Sequence, residues 1–338
     1  MSAGISVSAY ILRKALNDIS PLFPTGTHTI PVLFKAVGSE LTIACTTGCN
    51  YLNTIAVHNE DNLHWETTVS YKNLLDFIKD GMVTFEQTQF GLDIVGDDFK
   101  VQLPVAYSTV TIPKLEDVSY NLVDSKGYLS GFRNLLNMGL AQVLSAEKPI
   151  HVYSGVSVLR YPNIQAQVRT PGFDCTMVIA PEHAKLLVRF EPEEYAFSTT
   201  DSALLLRRQN ATLALPISMQ REENHFTEFL QGMSEPVTVQ MGGFLDRLRS
   251  MSKLSPRGRV KLVIRESGVE ASVQNDNAVI STALGDIESK VLTALHVPMP
   301  LFLAMIKVIG DSTAQFLYKE DLLCLRTQFI IIVTRALV

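Results

Sequence analysis

The 338-residue chain has only four cysteines, a single tryptophan, and no apolar run near the roughly 18 residues a membrane-spanning helix needs. Cys45, Cys49, Cys175 and Cys324 are too few and too scattered for a disulfide framework, so a reducing compartment is expected. The opening MSAGISVSAYILRK has no basic stretch ahead of its apolar residues; no export signal is expected, and the expected location is the cytoplasm. Catalytic signatures are also missing. There is no glycine-rich phosphate loop, no GxSxG elbow and no HExxH pair. The seven histidines are dispersed. The adjacent acids Asp97-Asp98, Glu193-Glu194 and Glu222-Glu223 lie beside turn or loop positions, where a solvated surface explains them. Cys45 and Cys49 could join His58 or His64 only as a CxxxC without a second pair, so neither a metal nor another cofactor is expected. Trp65, Phe77, Phe132 and Phe302 fall at core phases and read as packing residues rather than base-stacking platforms. A net charge of -5 and a pI near 5.8 exclude indiscriminate nucleic-acid binding by the chain as a whole.

What the chain does contain is one plan written three times. Residues 71–107 read YKNLLDFIKD, GMVTFEQTQF, GLDIVGDDF and KVQLPVAY, a short amphipathic helix followed by three strand-like runs. The plan returns at 182–218 (EHAKLLVRF, EYAFSTTD, SALLLRRQN, ATLALPIS) and at 300–338 (PLFLAMIKVIG, AQFLYKED, LLCLRTQF, IIIVTRALV). In the first two copies the step from helix to closing strand is 25 residues, Ile78 to Leu103 and Phe190 to Leu215. A period of about 110 residues is domain-sized rather than solenoid-sized, so three tandem α+β domains are expected, at 1–115, 116–228 and 229–338.

Each unit opens with a strand and a helix. The first helix is expected over 9–20 with Leu12, Ala15, Leu16 and Ile19 inward, the second over 126–144, the third over 243–253. Four alternating strands follow in each, and then the recurring segment, whose helices fall at 71–80, 181–190 and 298–309. Thr109 to Ser119 and Gln220 to Glu235 read as linkers.

The charge is segregated among these elements. The six expected helices carry Arg13, Lys14, Lys72, Lys79, Lys126, Arg133, Lys185, Arg189, Arg247, Arg249, Lys253 and Lys307 against Asp18, Asp76, Asp80, Glu182 and Asp246. Twelve bases against five acids give +7, which leaves -12 for the rest of a chain whose total is -5. Arg13, Arg133 and Arg249 occupy the same step, directly after a core residue, in the three opening helices. Lys79, Arg189 and Lys307 sit late in the other three, where a cation also offsets the helix dipole. Helices covering one face of a sheet turn their polar sides the same way, so a basic surface suited to a phosphate backbone is expected. No helix gathers Asn, Gln and Arg on a recognition face, so contacts should be indifferent to base sequence.

Over essentially its full length the sequence resembles the bacterial-type DNA sliding clamp, the β subunit of the replicative polymerase. FLDRLRSMSKLSPRGRVKLVI is similar to that family's third-domain opening, and FIIIVTRALV to its terminal strand and tail. The resemblance implies a head-to-tail homodimer closed into a ring around duplex DNA, serving as a processivity factor without enzymatic activity. It also implies a pocket where the polymerase and the clamp loader dock short linear motifs. By position that pocket falls on Tyr153, Thr170, Gly172, Phe173, Met299, Phe302, Thr334, Arg335 and Leu337. There are departures. The family's Thr-Asp-Gly-His-Arg is Thr170-Pro171-Gly172-Phe173-Asp174 here, its Met-Pro-Met-Arg-Leu end is Val-Thr-Arg-Ala-Leu-Val, and Pro21 to Ile30 lacks the usual basic residue. These fit a distant relative, a phage-encoded one included, with an altered pocket. The rival reading is a non-enzymatic structural or assembly protein, such as a phage scaffold component, built on the same triplicated domain without encircling DNA.

Overall fold

The computed structural model of the chain describes residues 4–19, 29–72, 74–110, 112, 121–123, 130–136, 148–161, 164–171, 175–189, 195–200, 202–208, 210–219, 224–274 and 278–337. They fall into two compact units, 1–125 with 185–218, and 126–184 with 219–338.

In the first unit a four-stranded sheet runs Ile5–Ser8, Met82–Thr88, Gly91–Val95, Lys100–Pro104. An eight-stranded sheet runs Trp65–Tyr71, Ile30–Val37, Glu40–Thr46, Asn50–Ala56, Ala211–Pro216, Ala203–Arg208, Tyr195–Thr199, Asn121–Val123. The joint at its centre is antiparallel, Ala211 opposite Asn53 through Ala214 opposite Asn50. Helix α1 (Ala9–Ile19) buries Ala9, Leu12, Ala15, Leu16 and Ile19, the stripe its spacing predicts. It is fixed to strand Asn50–Ala56 by the buried Tyr51, whose hydroxyl donates to Ala15 O at 3.3 Å and to Asp18 Oδ2 at 3.2 Å and accepts from Asn53 Nδ2 at 2.9 Å. Burial, with the Asp18 carboxylate next in importance, raises the Tyr51 phenol well above its usual pKa, so the hydroxyl stays protonated and keeps donating.

The helix expected at 71–80 is not formed. Tyr71 stays in strand Trp65–Tyr71, and residues 75–77 make a single turn closed by hydrogen bonds from Phe77 N (2.9 Å) and Ile78 N (3.3 Å) to Leu74 O. Leu74 and Ile78 are nevertheless buried, whereas Phe77 is 55% exposed and does not occupy the core position expected of it. The apolar spacing placed the right two side chains inward. A segment this short, with its first residue claimed by a strand, does not offset the cost of helix nucleation.

In the second unit a nine-stranded sheet runs Ser218–Met219, Thr176–Ile179, Ile150–Tyr153, Val156–Tyr161, Ile164–Arg169, Ile330–Arg335, Leu322–Arg326, Thr313–Lys319, Val237–Gln240. A four-stranded sheet runs Val279–Gly285, Gly268–Gln274, Arg259–Arg265, Val291–Pro298. Of the expected helix 126–144, residues 130–136 are described and helical (α2); the remainder lies outside the described residues. Gly131 brings α2 against the strand Ile164–Arg169, because a Cβ there would sit 2.8 Å from Arg169 O. Helix α3 (Pro181–Arg189) spans the division between the units. Helices α4 (Phe244–Ser252) and α5 (Met299–Ile309) pack through Phe244 and Phe302, edge to face with ring centroids 6.2 Å apart. Pro300 fits the first turn of α5, where its missing N–H costs no hydrogen bond.

One topology recurs three times. A strand from the start of each third pairs with the first strand of a later three-stranded meander: Ile5–Ser8 with the meander 82–104, Asn121–Val123 with 195–216, Val237–Gln240 with 313–335. The remaining strands repeat a second order, as in Trp65–Tyr71, Ile30–Val37, Glu40–Thr46, Asn50–Ala56. This is the triplicated α+β plan the repeat implies. The segment 220–235, read as a linker, contains a 3-10 helix at His225–Leu230, capped where Asn224 Oδ1 accepts from Phe226 N at 3.1 Å. Most of 109–119 lies outside the described residues.

Gly91 opens the second strand of the first meander at φ +149°, and a Cβ there would run into the Leu103 carbonyl. Gly91→Ala is expected to destabilise the protein by about 1–3 kcal/mol, read as a lower urea midpoint with unchanged slope.

Candidate nucleic-acid interface and partner surface

Arg13 and Lys14 project from the exposed side of α1, opposite its buried stripe. Arg133 is exposed on α2, and Arg247, Arg249 and Lys253 are exposed at α4 and its C-terminal cap. Lys307 is exposed in the last turn of α5. The three arginines placed at one step by the sequence are therefore all solvent-facing. Among the described residues only Asp246 offsets the α4 group, at 2.8 Å from Arg249 across one turn, and such an exposed pair contributes at most a fraction of a kcal/mol, about 0.3–0.5. Helices α4 and α5 are packed side by side, so their four exposed cations lie on neighbouring elements of the second unit. Lys72 and Lys79 are exposed too, but on the turn segment and near the exposed Asp76 and Asp80, so that stretch adds no net charge. Lys185 is half-buried, the Arg189 backbone closes α3, and Lys126 lies outside the described residues.

The residues expected to form a peptide pocket are scattered. Met299 and Phe302 are fully buried and belong to the packing of α5, so they offer no wall to a peptide; their apolar character and helical spacing serve the core instead. Thr170 is buried with its hydroxyl 2.8 Å from Ser157 Oγ, and its N–H donates to Gly155 O at 2.8 Å. Thr334 is buried on the inner side of its strand. Val168 stands opposite Ile330 and Ile164 opposite Thr334, so Thr170 and Thr334 lie at opposite ends of one strand pair, about 20 Å apart at 3.3 Å per residue. Arg335 is exposed, 3.9 Å from Asp321, and Leu337 is half-exposed while exchanging backbone hydrogen bonds with His296 at 2.7 and 2.9 Å. Gly172 and Phe173 lie outside the described residues.

Among the described members of that set, Tyr153 alone borders an apolar feature on the outer face of the nine-stranded sheet. Its ring stacks on His151 at 6.4 Å and lies 5.6 Å from the Arg160 guanidinium. Beside it Val158, Leu317, Cys324 and Val333 form a buried cluster, with Val156, Leu322 and Ile331 packed at its margin. Phe226, Leu230 and Met233 of the segment read as a linker cover this patch. The alternation in Ile330–Arg335 puts Ile331 and Val333 on this face and Thr334 on the other, a one-residue phase difference from the expected pocket. That alternation was the signal available in the sequence.

The described residues contain no group of three or more His, Cys, Asp or Glu placed to hold a metal. Burial pushes the thiols of Cys49 and Cys324 up to about 12 and that of Cys45 further still, so none is a ready nucleophile. No helix among the described residues is long and apolar enough to cross a membrane. Phe226→Ala should uncover the cluster and cost about 3–5 kcal/mol, with a parallel rise in the rate at which a thiol reagent labels Cys324. Thermal unfolding and labelling kinetics check both.

No protein-family model and no curated protein sequence matches the chain. Solved structures do, end to end. The DNA polymerase sliding clamp of Bacillus subtilis superposes with a TM-score of 0.80 at 12% identity, covering 100% of each chain. The DNA polymerase III subunit beta of Pseudomonas aeruginosa gives 0.78 at 12% identity over 99% of this chain and 100% of the other. The Helicobacter pylori beta clamp bound to a DNA ligase peptide gives 0.75 at 12% identity over the same shares. With the same antiparallel sheets and helices recurring in the same order throughout its length, the chain has the fold of the beta sliding clamp.

Proposed function

We propose that the chain is a sliding clamp: two copies join head to tail into a ring that surrounds duplex DNA and tethers a replicative polymerase. The observation that carries this reading is a pair of unused sheet edges. In two places the closing strand of one meander pairs with a strand of another repeat, Ala211–Pro216 with Asn50–Ala56 and Ile330–Arg335 with Ile164–Arg169. The strands in the equivalent positions of the third set, Lys100–Pro104 and Val279–Gly285, are each the outermost strand of a four-stranded sheet. An open edge displays a row of unpaired N–H and C=O groups that favours another strand. Val279 and Ile280 on one edge strand, and Val105 and Tyr107 just beyond the other, are exposed apolar residues that such pairing would cover. A heterologous contact of this kind closes when the rotation between copies permits it.

In the ring, the cations of α1, α2, α4 and α5 contact phosphates without reading bases, and topology rather than affinity retains the DNA. The chain performs no chemistry and binds no cofactor in this role. Partners dock through short linear motifs, by analogy with the ligase peptide held by the Helicobacter pylori clamp. The surface assigned to them is the margin of the covered cluster, where Tyr153, Val156 and Leu322 remain partly exposed.

The solution mass should be twice that of the 37.4 kDa chain, and Val279→Glu with Ile280→Glu should halve it without lowering the helix signal in circular dichroism. Protein loaded on nicked circular DNA should be retained in salt and lost on linearisation. Replacing Arg13, Arg133 and Arg249 by Ala should flatten the dependence of log K on log salt by roughly 0.9 per phosphate contact removed, with stability shifting by less than about 0.5 kcal/mol per site. A monomer with no DNA association at low salt would overturn the clamp reading in favour of a structural or assembly protein.

A further inference from the structure

The outer face of the nine-stranded sheet has a second, open half. Thr238, Gln315, Arg326, Ile331 and Gln167 stand opposite one another on five neighbouring strands. They lie two residues along from Leu317, Cys324 and Val333, the row covered by Phe226. This polar row floors a cavity of about 800 Å³, within the size range of sites that enclose a ligand. Arg169 and Phe329 form its end wall, held side by side by the hydrogen bond from Arg169 N to Phe329 O at 3.0 Å.

The chemistry of the lining is one-sided. Among the described residues two arginines contribute to it and no aspartate or glutamate does. Arg326 uses its Nε on Gln315 Oε1 at 2.8 Å, and among the described residues neither Arg326 nor Arg169 has a carboxylate within ion-pair distance. The Gln167 amide oxygen is covered and makes no hydrogen bond. Phe329 is 59% exposed, an apolar surface directly beside the arginines. The cavity therefore wants a planar anion for its guanidinium groups, an N–H donor for Gln167 and an apolar group against Phe329. No glycine-rich loop or helix N-terminus is among the described residues that line it, and these supply no backbone cradle of the kind that usually holds a nucleotide phosphate.

We propose that this cavity docks an acidic linear peptide of a protein partner. A side-chain carboxylate takes the guanidinium groups of Arg169 and Arg326, the peptide backbone donates to Gln167, and a neighbouring apolar side chain lies on Phe329. The cavity adjoins the Tyr153 patch, with which it shares Ile331, is separate from the helix cations, and stands or falls independently of DNA encirclement.

The probe is a fluorescein-labelled Ac-Gly-Asp-Phe-Asp-Gly amide, with an Asn-for-Asp twin, titrated by anisotropy against the full chain. The acidic peptide should bind about tenfold tighter than the twin, the worth of one charge-assisted contact. Arg169→Gln and Arg326→Gln should each weaken it by a similar factor, and Phe329→Ala by a smaller one, while Arg13→Ala leaves it unchanged. Should Arg326→Gln shift the melting midpoint, Arg169→Gln, at an exposed position, provides the reading. Equal affinity for the two peptides, or parental affinity in both arginine variants, overturns the proposal. So does full displacement by millimolar inorganic phosphate together with an inert Phe329→Ala, which would leave a bare anion site.

Discussion

Antiparallel backbone pairing between strands of different repeats is the constraint on which the rest of this architecture depends. The pairs from Ala211 opposite Asn53 to Ala214 opposite Asn50 convert two four-stranded halves into one eight-stranded sheet. Those from Val168 opposite Ile330 to Ile164 opposite Thr334 join five strands to four in the second unit, making its nine-stranded sheet. Each joint satisfies edges that would otherwise face water or another chain. Each also fixes which residues of the closing strand point outward, and so determines where a partner surface can lie. Helix packing is secondary to this. Tyr51 and the Phe244–Phe302 contact attach helices to a framework the strands have already set.

The repeat was legible because its spacing is a property of the sequence: 25 residues from Ile78 to Leu103 and again from Phe190 to Leu215 lead to strands of matching topology. Alternating strands such as Ile150–Tyr153, Ile164–Arg169 and Val237–Gln240 have the expected bounds. The segment 71–80 shows where pattern ceases to decide. Its two buried side chains satisfy a helical period and a single turn equally well, and only the claim of strand Trp65–Tyr71 on the first residue separates them. His225–Leu230 was hidden for the opposite reason, since a 3-10 helix has no long apolar period to betray it.

Charged residues were easier to place than pocket residues. A cation directly after a core position on an amphipathic helix has little choice but to face solvent, and Arg13, Arg133 and Arg249 do. The pocket assignment carried residues over by position in a strand whose side chains alternate, where an offset of one residue reverses the face. Thr334 faces one side of the sheet, while Ile331 and Val333 face the other, Val333 beneath Phe226. Met299 and Phe302 show a related ambiguity, because an apolar helix residue suits a groove and a core alike.

The middle of the chain has no sheet of its own. Asn121–Val123 and the strands from Tyr195 to Pro216 complete the eight-stranded sheet, whereas those from Ile150 to Ile179 complete the nine-stranded one. Although the sequence repeats like beads on a string, the central bead cannot be cut out: its excision would strip strands from both large sheets at once. Insertion or loss of a whole repeat is thereby a poor route to new versions of this molecule, and variation is channelled into loops, connectors and outward-facing side chains.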